Sequence, residues 1–397
     1  MGQFHFLTAG ESHGKGLIAV IEGMVAGLPV SEEYIARDLK RRQAGYGRSA
    51  RMDIEHDRAE IISGVCHGFT IGSPISLLIW NRVWCDWQET MSITPVDKEM
   101  PPITSPRPGH ADLAGVIKYG VGDIRPILER ASARETAARV AVGAIARRFL
   151  EEFGVIIHSH TVNIGKHWVK QNKSVDWQQV ENSPVRCADS KAEQAMMAVI
   201  DEAKAEGDTL GGVFELIATG VPVGLGSHVQ WSRRLDGQVA QAIMSINAVK
   251  GVEIGAGFSL ANMKGSQAHD VIECVSKRTA LLYRRTTNRA GGIEGGISNG
   301  EPVVVRAVVK PIATLSKPLP SVDLRSGKAT KAHYERSDVC VVPAAGVIGE
   351  AMLAIVLANA MLEKFGGDHL KETLANYNSY ISSASSFNKH ASSESKK

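Results

Sequence analysis

Two histidines stand where the chain cannot run as regular helix or strand. His110 lies in Arg107-Pro108-Gly109-His110-Ala111-Asp112, where Pro108 and Gly109 impose a rigid turn. His13 lies in Gly10-Glu11-Ser12-His13-Gly14-Lys15-Gly16, a glycine-bounded loop after a short strand, of the kind that lets backbone approach a ligand. Arginines recur around such segments: Arg42, Arg48, Arg51, Arg107, Arg130, Arg134 and Arg336. Histidine is the side chain best suited to donate a proton near neutral pH, and guanidinium groups grip phosphate and carboxylate bidentately. Together these residues read as an enzyme acting on a small, highly negative substrate, with histidine as general acid. Taken singly, each has a plainer explanation: a turn with an exposed histidine, or a solvated basic face. Nothing in the spacing names the substrate.

Helices and turns must position these groups. Ser132-Ala133-Arg134-Glu135 has the form of a capping box, which predicts a helix from there to about Phe153-Gly154, with Arg125, Arg130 and Arg134 crowding an anion-favouring N-terminus. Ser31 caps a helix through Gln43, with Ile35 and Leu39 inward. It ends in Lys40-Arg41-Arg42 before Gly45-Tyr46-Gly47-Arg48-Ser49-Ala50-Arg51. Residues 58–80 read as strands with turns at Gly64, Gly68 and Gly72, and 81–106 as a long loop. Helices are expected over Ala192–Ala205, stopped by Gly207, and after Arg234. Strands are expected over Gly154–Gly165, Gly212–Val223 and Pro302–Lys310. Five glycines within Arg284–Gly300 preclude a helix or strand interior, and a nucleotide or flavin could lie against that bare backbone. The Ala-rich run Ala344–Phe365, lacking a polar face, predicts a buried helix. The pattern is an α+β layering, helices against antiparallel sheets. It fills one domain of two loosely similar halves, residues 1–375, followed by a polar, disordered tail, 376–397.

Composition excludes several classes. At 397 residues, 44% hydrophobic and 22% charged, the chain is neither disordered nor membrane-like. A net charge of +3 argues against a nucleic-acid partner. Cys66, Cys85, Cys187, Cys274 and Cys340 lack metal-ligand spacing, so no metal is expected, and they fit a reducing, cytoplasmic setting. There is no signal-like N-terminus. The most apolar segment, Ala351–Leu362, is too short to span a bilayer, so no membrane partner is expected. Gly10–Gly16 fails the Walker spacing, and no Rossmann or kinase pattern occurs.

The same residues carry a resemblance. Gly10-Glu11-Ser12-His13-Gly14, Arg42-Gln43 with Gly45-Tyr46-Gly47-Arg48, Arg107–Asp112, Arg130–Thr136, Ser245–Gly251, Gly291–Gly300 and Lys310–Thr314 match the ordered motifs of chorismate synthases. From Phe6 to about Leu370 the chain resembles that family. The resemblance implies a β-α-β sandwich with long helices between antiparallel sheets, assembled as a homotetramer. It implies a lyase of the shikimate pathway, which leads to aromatic amino acids. That lyase converts 5-enolpyruvylshikimate 3-phosphate to chorismate and phosphate by anti-1,4-elimination, requiring reduced FMN without net redox change. By the same resemblance His13 protonates the departing phosphate, His110 keeps the flavin anionic, and Asp338 takes the flavin N5 proton. Ser12, Arg51, Arg107, Arg134 and Arg336 match the substrate clamp. FMN contacts fall on Arg130, Ala131, Ser132, Asn247, Ala248, Gly295, Lys310, Pro311, Ile312, Ala313, Thr314 and Arg336. Arg42 and Arg48 match positions linked to a nicotinamide cofactor, with NADPH as indirect reductant. Two departures stand out: Ser337 replaces a common histidine and Ala131 a common serine. No flavin-reductase domain is inserted, so a monofunctional enzyme supplied by a separate flavin reductase is expected. A flavin oxidoreductase would share the cofactor but change the substrate's redox state. An RNA- or anion-binding module would use only Arg42–Arg51 and leave both histidines unexplained.

Overall fold

The computed structural model describes residues 4–49, 56–97, 100–170, 174–274 and 283–385. Two antiparallel sheets enclose a layer of helices. The first sheet runs His5–Ala9, Gly16–Glu22, Ile75–Trp80, Glu60–Ser63 in spatial order. Its sequence alternates with the pleat: Leu17, Ala19 and Ile21 on one strand and Ile75, Leu77 and Ile79 on the next face inward and are almost wholly buried. The second sheet runs Val249–Ile254, Val303–Val309, Gly212–Thr219, Ile156–Ile164, His167–Trp168. The β-α-β sandwich and the α+β class expected from the sequence are what the chain adopts.

Between the sheets lie the early helix Glu32–Gln43, the central helix Thr136–Glu151 and the late helix Val342–Phe365. The central helix packs on the first sheet, the late helix on the second, and the two pack on each other. Gly143 makes this crossing possible: a Cβ there would stand 2.3 Å from the Ala351 Cβ. The late helix is apolar and long enough to cross a membrane, but its most apolar stretch is 94% buried within the protein. A small-residue helix of this kind lets side chains from both neighbouring layers meet on it.

A buried charge cluster centred on Glu350 interrupts the apolar layer. Glu350, fully buried on the late helix, accepts hydrogen bonds from Arg41, Arg147, Arg186 and the Ser159 hydroxyl. Burial alone would raise its carboxyl. Arg41 and Arg147 outweigh that and hold it well below the usual carboxylate range. Glu181, also bound by Arg41 and Arg186, is drawn down to about 2 against the opposing effect of burial.

Two boundaries differ from expectation. The polar tail was expected to begin at 376, yet a helix runs Leu370–Ser385. Leu370, Leu374, Tyr377 and Tyr380 recur on one face and pack against the core, with Tyr377 edge-on to Phe153 and Phe365. Residues 386–397 lie outside the described residues. Arg125–Ala131 is a separate helix, so Arg125 and Arg130 do not crowd the start of the central helix. Ser132 caps a single 3-10 turn, Ala133–Glu135, by accepting from Arg134 N. Glu135 does not reach back to close the box. Its carboxylate instead takes the Thr8 hydroxyl and Arg139 Nε, partners no local pattern announces.

Candidate active site

The sandwich leaves one end of its helix layer open, and loops from both halves of the chain meet there around a cavity of about 430 Å³. That is within the range of small-molecule sites. Ser12, Arg42, Arg48, Arg107, His110, Ala131, Ser132, Arg134, Asn247, Ala248, Lys310 to Thr314, Arg336 and Asp338 all line it, although they span more than three hundred residues of sequence. The first turns of the late helix supply its apolar floor through Val341, Ala344, Ala345 and Ile348. A second cavity of about 700 Å³ shares Arg48, Ser49, Arg336 and Ser337 with the first, and adds Lys40, Lys204 and His56.

The Arg107–Asp112 turn is rigid for a visible reason. Asp112 is fully buried at the start of helix Asp112–Tyr119. Its Oδ2 accepts from Arg107 N at 3.0 Å and Arg107 Nε at 2.8 Å, and its Oδ1 pairs with His110 Nδ1. Burial would raise this carboxyl, but the bonds from His110 and Arg107 prevail and keep it well below the usual range. Arg107 Nη1 also donates to Thr314 Oγ1 at 2.9 Å. His110 is thus held between a guanidinium and a carboxylate, its ring part-exposed toward the cavity.

Opposite, Arg42 and Arg134 share Asp57, whose side chain is wholly buried. Arg42 donates to Thr136 Oγ1 and the Ala133 carbonyl, each at 3.0 Å. Arg134 Nε donates to Asn81 Oδ1 at 2.9 Å, and Asn81 in turn ties the Gly10–Gly16 loop through the carbonyls of Glu11 and Gly14. Burial pushes Arg42 down to about 10, with Arg134 and Arg48 pushing the same way and Asp57 opposing. Arg48 pairs with Asp338 at 3.1 Å, and Ser49 N donates to the same carboxylate at 2.6 Å. Cations therefore outnumber carboxylates: Arg42, Arg48, Arg107, Arg134, Arg336 and Lys310 against Asp57, Asp112, Glu335 and Asp338. Such a surplus in a part-buried site favours an anionic guest.

Three expected residues are placed differently. His13 is not on the cavity wall but adjoins it. Its neighbour Ser12 lines the cavity and accepts a bond from Ser132 Oγ at 3.1 Å, and the charge of His13 is felt by Glu335 on the wall. Arg130 turns away, donating to the carbonyls of Gly10 and Thr8 at 2.9 Å. Gly295 sits on the tight turn between Glu294 and Ile297, outside the lining. The nearby glycines answer to protein backbone, Gly291 to Gly255 and Gly292 to Pro302, which explains that glycine run without a nucleotide. Arg51 lies outside the described residues.

Sequence reasoning missed Asp57, Asn81, Glu129 and Glu335. Asp57, Asn81 and Glu129 take their places through partners distant in sequence, so no spacing could have found them, whereas Glu335 pairs with His333 two residues away and reaches the cavity wall. Among the described residues no cluster of histidines, cysteines and carboxylates could hold a metal, and the five cysteines are free.

A family model described as chorismate synthase matches residues 4–362. The chain is 55% identical over 382 residues to a protein named chorismate synthase from Moorella thermoacetica, covering 95% of this chain and 98% of that one. It is 53% identical over 394 residues to one from Aquifex aeolicus and 52% over 392 residues to one from Streptomyces avermitilis, with 96% of this chain and 98% of the relative covered in each case. A crystal structure of chorismate synthase superposes with a TM-score of 0.78 at 45% identity, covering 96% of this chain and 98% of that chain.

Proposed function

The chain belongs to the chorismate synthase family, and on that premise we propose that this lyase of the shikimate pathway eliminates phosphate and a ring hydrogen from 5-enolpyruvylshikimate 3-phosphate with the help of reduced FMN. The observation that carries the reading is the cationic cavity itself. A substrate with one phosphate and two carboxylates neutralises the surplus left by Arg42, Arg48, Arg107, Arg134 and Arg336, and relieves the mutual repulsion that Arg42 feels from Arg134 and Arg48. Coverage of nearly the whole chain and of nearly the whole of each relative leaves no room for an inserted reductase domain, so the enzyme is monofunctional.

Residues present suit a flavin. Asn247 donates to the Ala131 carbonyl at 3.1 Å, while its buried Oδ1 has no partner; a ring N–H would satisfy it. Asn247, Ala248, Ala131, Ser132 and Lys310–Thr314 form one wall of the cavity, and the adjoining second cavity adds basic groups for a phosphate tail. Reduced flavin supplies an electron source for breaking a weakly acidic C–H bond, chemistry that no side chain provides. The chain's own groups do the rest. The guanidiniums orient the substrate anions. His13 protonates the departing phosphate, His110 donates toward the anionic cofactor, and Asp338 is the proton acceptor on its side of the cavity. We propose further that reduced flavin comes from a separate reductase, with NADPH only an indirect source through the Arg42–Arg48 region. The enzyme acts as a cytoplasmic homotetramer. Free cysteines support the compartment, and the exposed apolar outer face of the first sheet, Leu7, Ile18, Val20 and Ile62, supports assembly.

An anaerobic assay with chemically reduced FMN tests the reading. Chorismate absorbance should grow over many turnovers without net flavin oxidation. Stoichiometric oxidation of flavin, or chorismate formed in air from oxidised FMN and NADPH by the purified protein alone, overturns it.

A further inference from the structure

We infer that Glu129 is the positioning residue that makes His13 a proton donor, by dictating which ring nitrogen carries the transferable proton. The inference rests on the reading of His13 as the general acid. Glu129 belongs to helix Arg125–Ala131, and its side chain is 1% exposed. Both of its carboxylate oxygens are spent on one residue. Oε2 accepts from the His13 backbone N–H at 2.7 Å, and Oε1 lies 2.7 Å from His13 Nδ1. The Glu129 carbonyl also accepts from Ser12 N at 3.2 Å. Trp87 closes the other side, stacked on the imidazole with centroids 3.9 Å apart and planes 17° from parallel. Ring position, ring rotation and the loop backbone are all fixed from one carboxylate and one indole.

The protonation pattern follows from hydrogen-bond polarity alone. A backbone N–H can only donate, so an oxygen must face it. The other carboxylate oxygen can only accept, so His13 Nδ1 carries a hydrogen and donates it. A second proton then resides on Nε2, the atom left for the substrate, and the imidazolium returns to a neutral ring when it gives that proton away. Glu129→Gln, although nearly isosteric, inverts the pattern. The amide oxygen must stay on the His13 N–H, which turns the NH2 group toward Nδ1. Nδ1 is then forced to accept, the lone ring proton sits on Nε2, and its transfer would leave an imidazolate. Glu129→Ala merely releases the ring, which can still become an imidazolium.

The predicted order of kcat is therefore wild type above Glu129→Ala above Glu129→Gln, with Glu129→Gln as slow as His13→Ala, at least about tenfold down, and KM within about threefold. A purely structural glutamate gives the opposite order, alanine worse than glutamine. Adding Glu129→Gln to His13→Ala should slow the enzyme no further. A second readout needs no turnover: the ring-nitrogen NMR shifts of His13 should show Nδ1 carrying a hydrogen in the wild type and bare, as an acceptor, in Glu129→Gln. Normal turnover by His13→Ala removes His13 from the reaction. Slow His13→Ala with glutamine faster than alanine, or Nδ1 still carrying its hydrogen in Glu129→Gln, overturns the positioning inference alone.

Discussion

Replacing Glu350 by glutamine tests whether the charge inside the helix layer holds the sandwich together. The carboxylate is fully buried and meets three guanidiniums and a hydroxyl, with Arg147 Nη2 at 2.6 Å, Arg41 Nη1 at 2.7 Å and Ser159 Oγ at 2.5 Å. In Glu350→Gln the amide can keep the Ser159 contact, but three cations remain with only Asp38 and Glu181 to balance them. Removing one partner of such a buried set costs about 3–5 kcal/mol, because the charges left behind stay desolvated. Unfolding entropy of roughly 2 cal/mol/K per residue gives about 0.8 kcal/mol/K for a chain of this size, so Tm should fall by roughly 4–6 °C. The pH dependence has a definite sign. The folded carboxyl lies below its unfolded value, so its contribution is complete above about pH 4.3 and fades as pH falls toward the folded value. Calorimetry at pH 7 and at pH 4 should show the gap between wild type and variant narrowing in acid. A variant as stable as wild type at pH 7, or a gap that widens on acidification, would refute the reasoning.

Three further outcomes follow from the site and the core. His13→Ala and His110→Ala should each lose at least about tenfold in kcat; near-normal turnover in steady-state assays strikes that residue from the mechanism. Asp338→Asn keeps the Ser49 N–H contact but loses the charge facing Arg48, so kcat should drop about tenfold while FMN binding, followed by flavin fluorescence, stays within about twofold. Gly143→Leu drives a branched side chain into Ala351 across the helix crossing and should destabilise by at least about 1–3 kcal/mol in chemical denaturation; an unchanged midpoint would show that the helices part freely.

The layers were legible because their signals are local. Period-two alternation in Gly16–Glu22 and Ile75–Trp80 marks strands buried on one face. The Ser31 cap and the glycine after Glu206 mark helix ends, and the largely apolar, Ala-rich run after Val342 marks a buried helix. Most of the cavity was legible too, because arginine, histidine and glycine on turns are unusual enough to notice without their neighbours. The helix Leu370–Ser385 was not, since its four anchoring residues are spread among serines and asparagines whose composition says tail. The carboxylates Asp57, Glu129 and Glu350 were not either. An acidic residue shows its role only through the cation it faces, and those partners stand 15 to 309 positions away in sequence.

Those three carboxylates share a logic that links fold to site. Each lies a layer behind a cationic or imidazole group and fixes it without reaching the cavity. Asp57 sets Arg42 and Arg134 side by side, Glu129 sets His13, and Glu350 ties the late helix to its neighbours within one turn of the cavity floor. Full neutralisation of the arginines at the wall would make them stable and useless for holding an anion. Placing fewer carboxylates than cations, and placing them behind, keeps the guanidiniums ordered while leaving their charge for the guest. The stability of the empty protein is lowered by that imbalance, and a bound polyanion should recover it. Phosphate or substrate should therefore raise Tm in proportion to RT ln(1 + [L]/Kd), and the rise should shrink in Arg134→Gln, where part of the surplus has been removed.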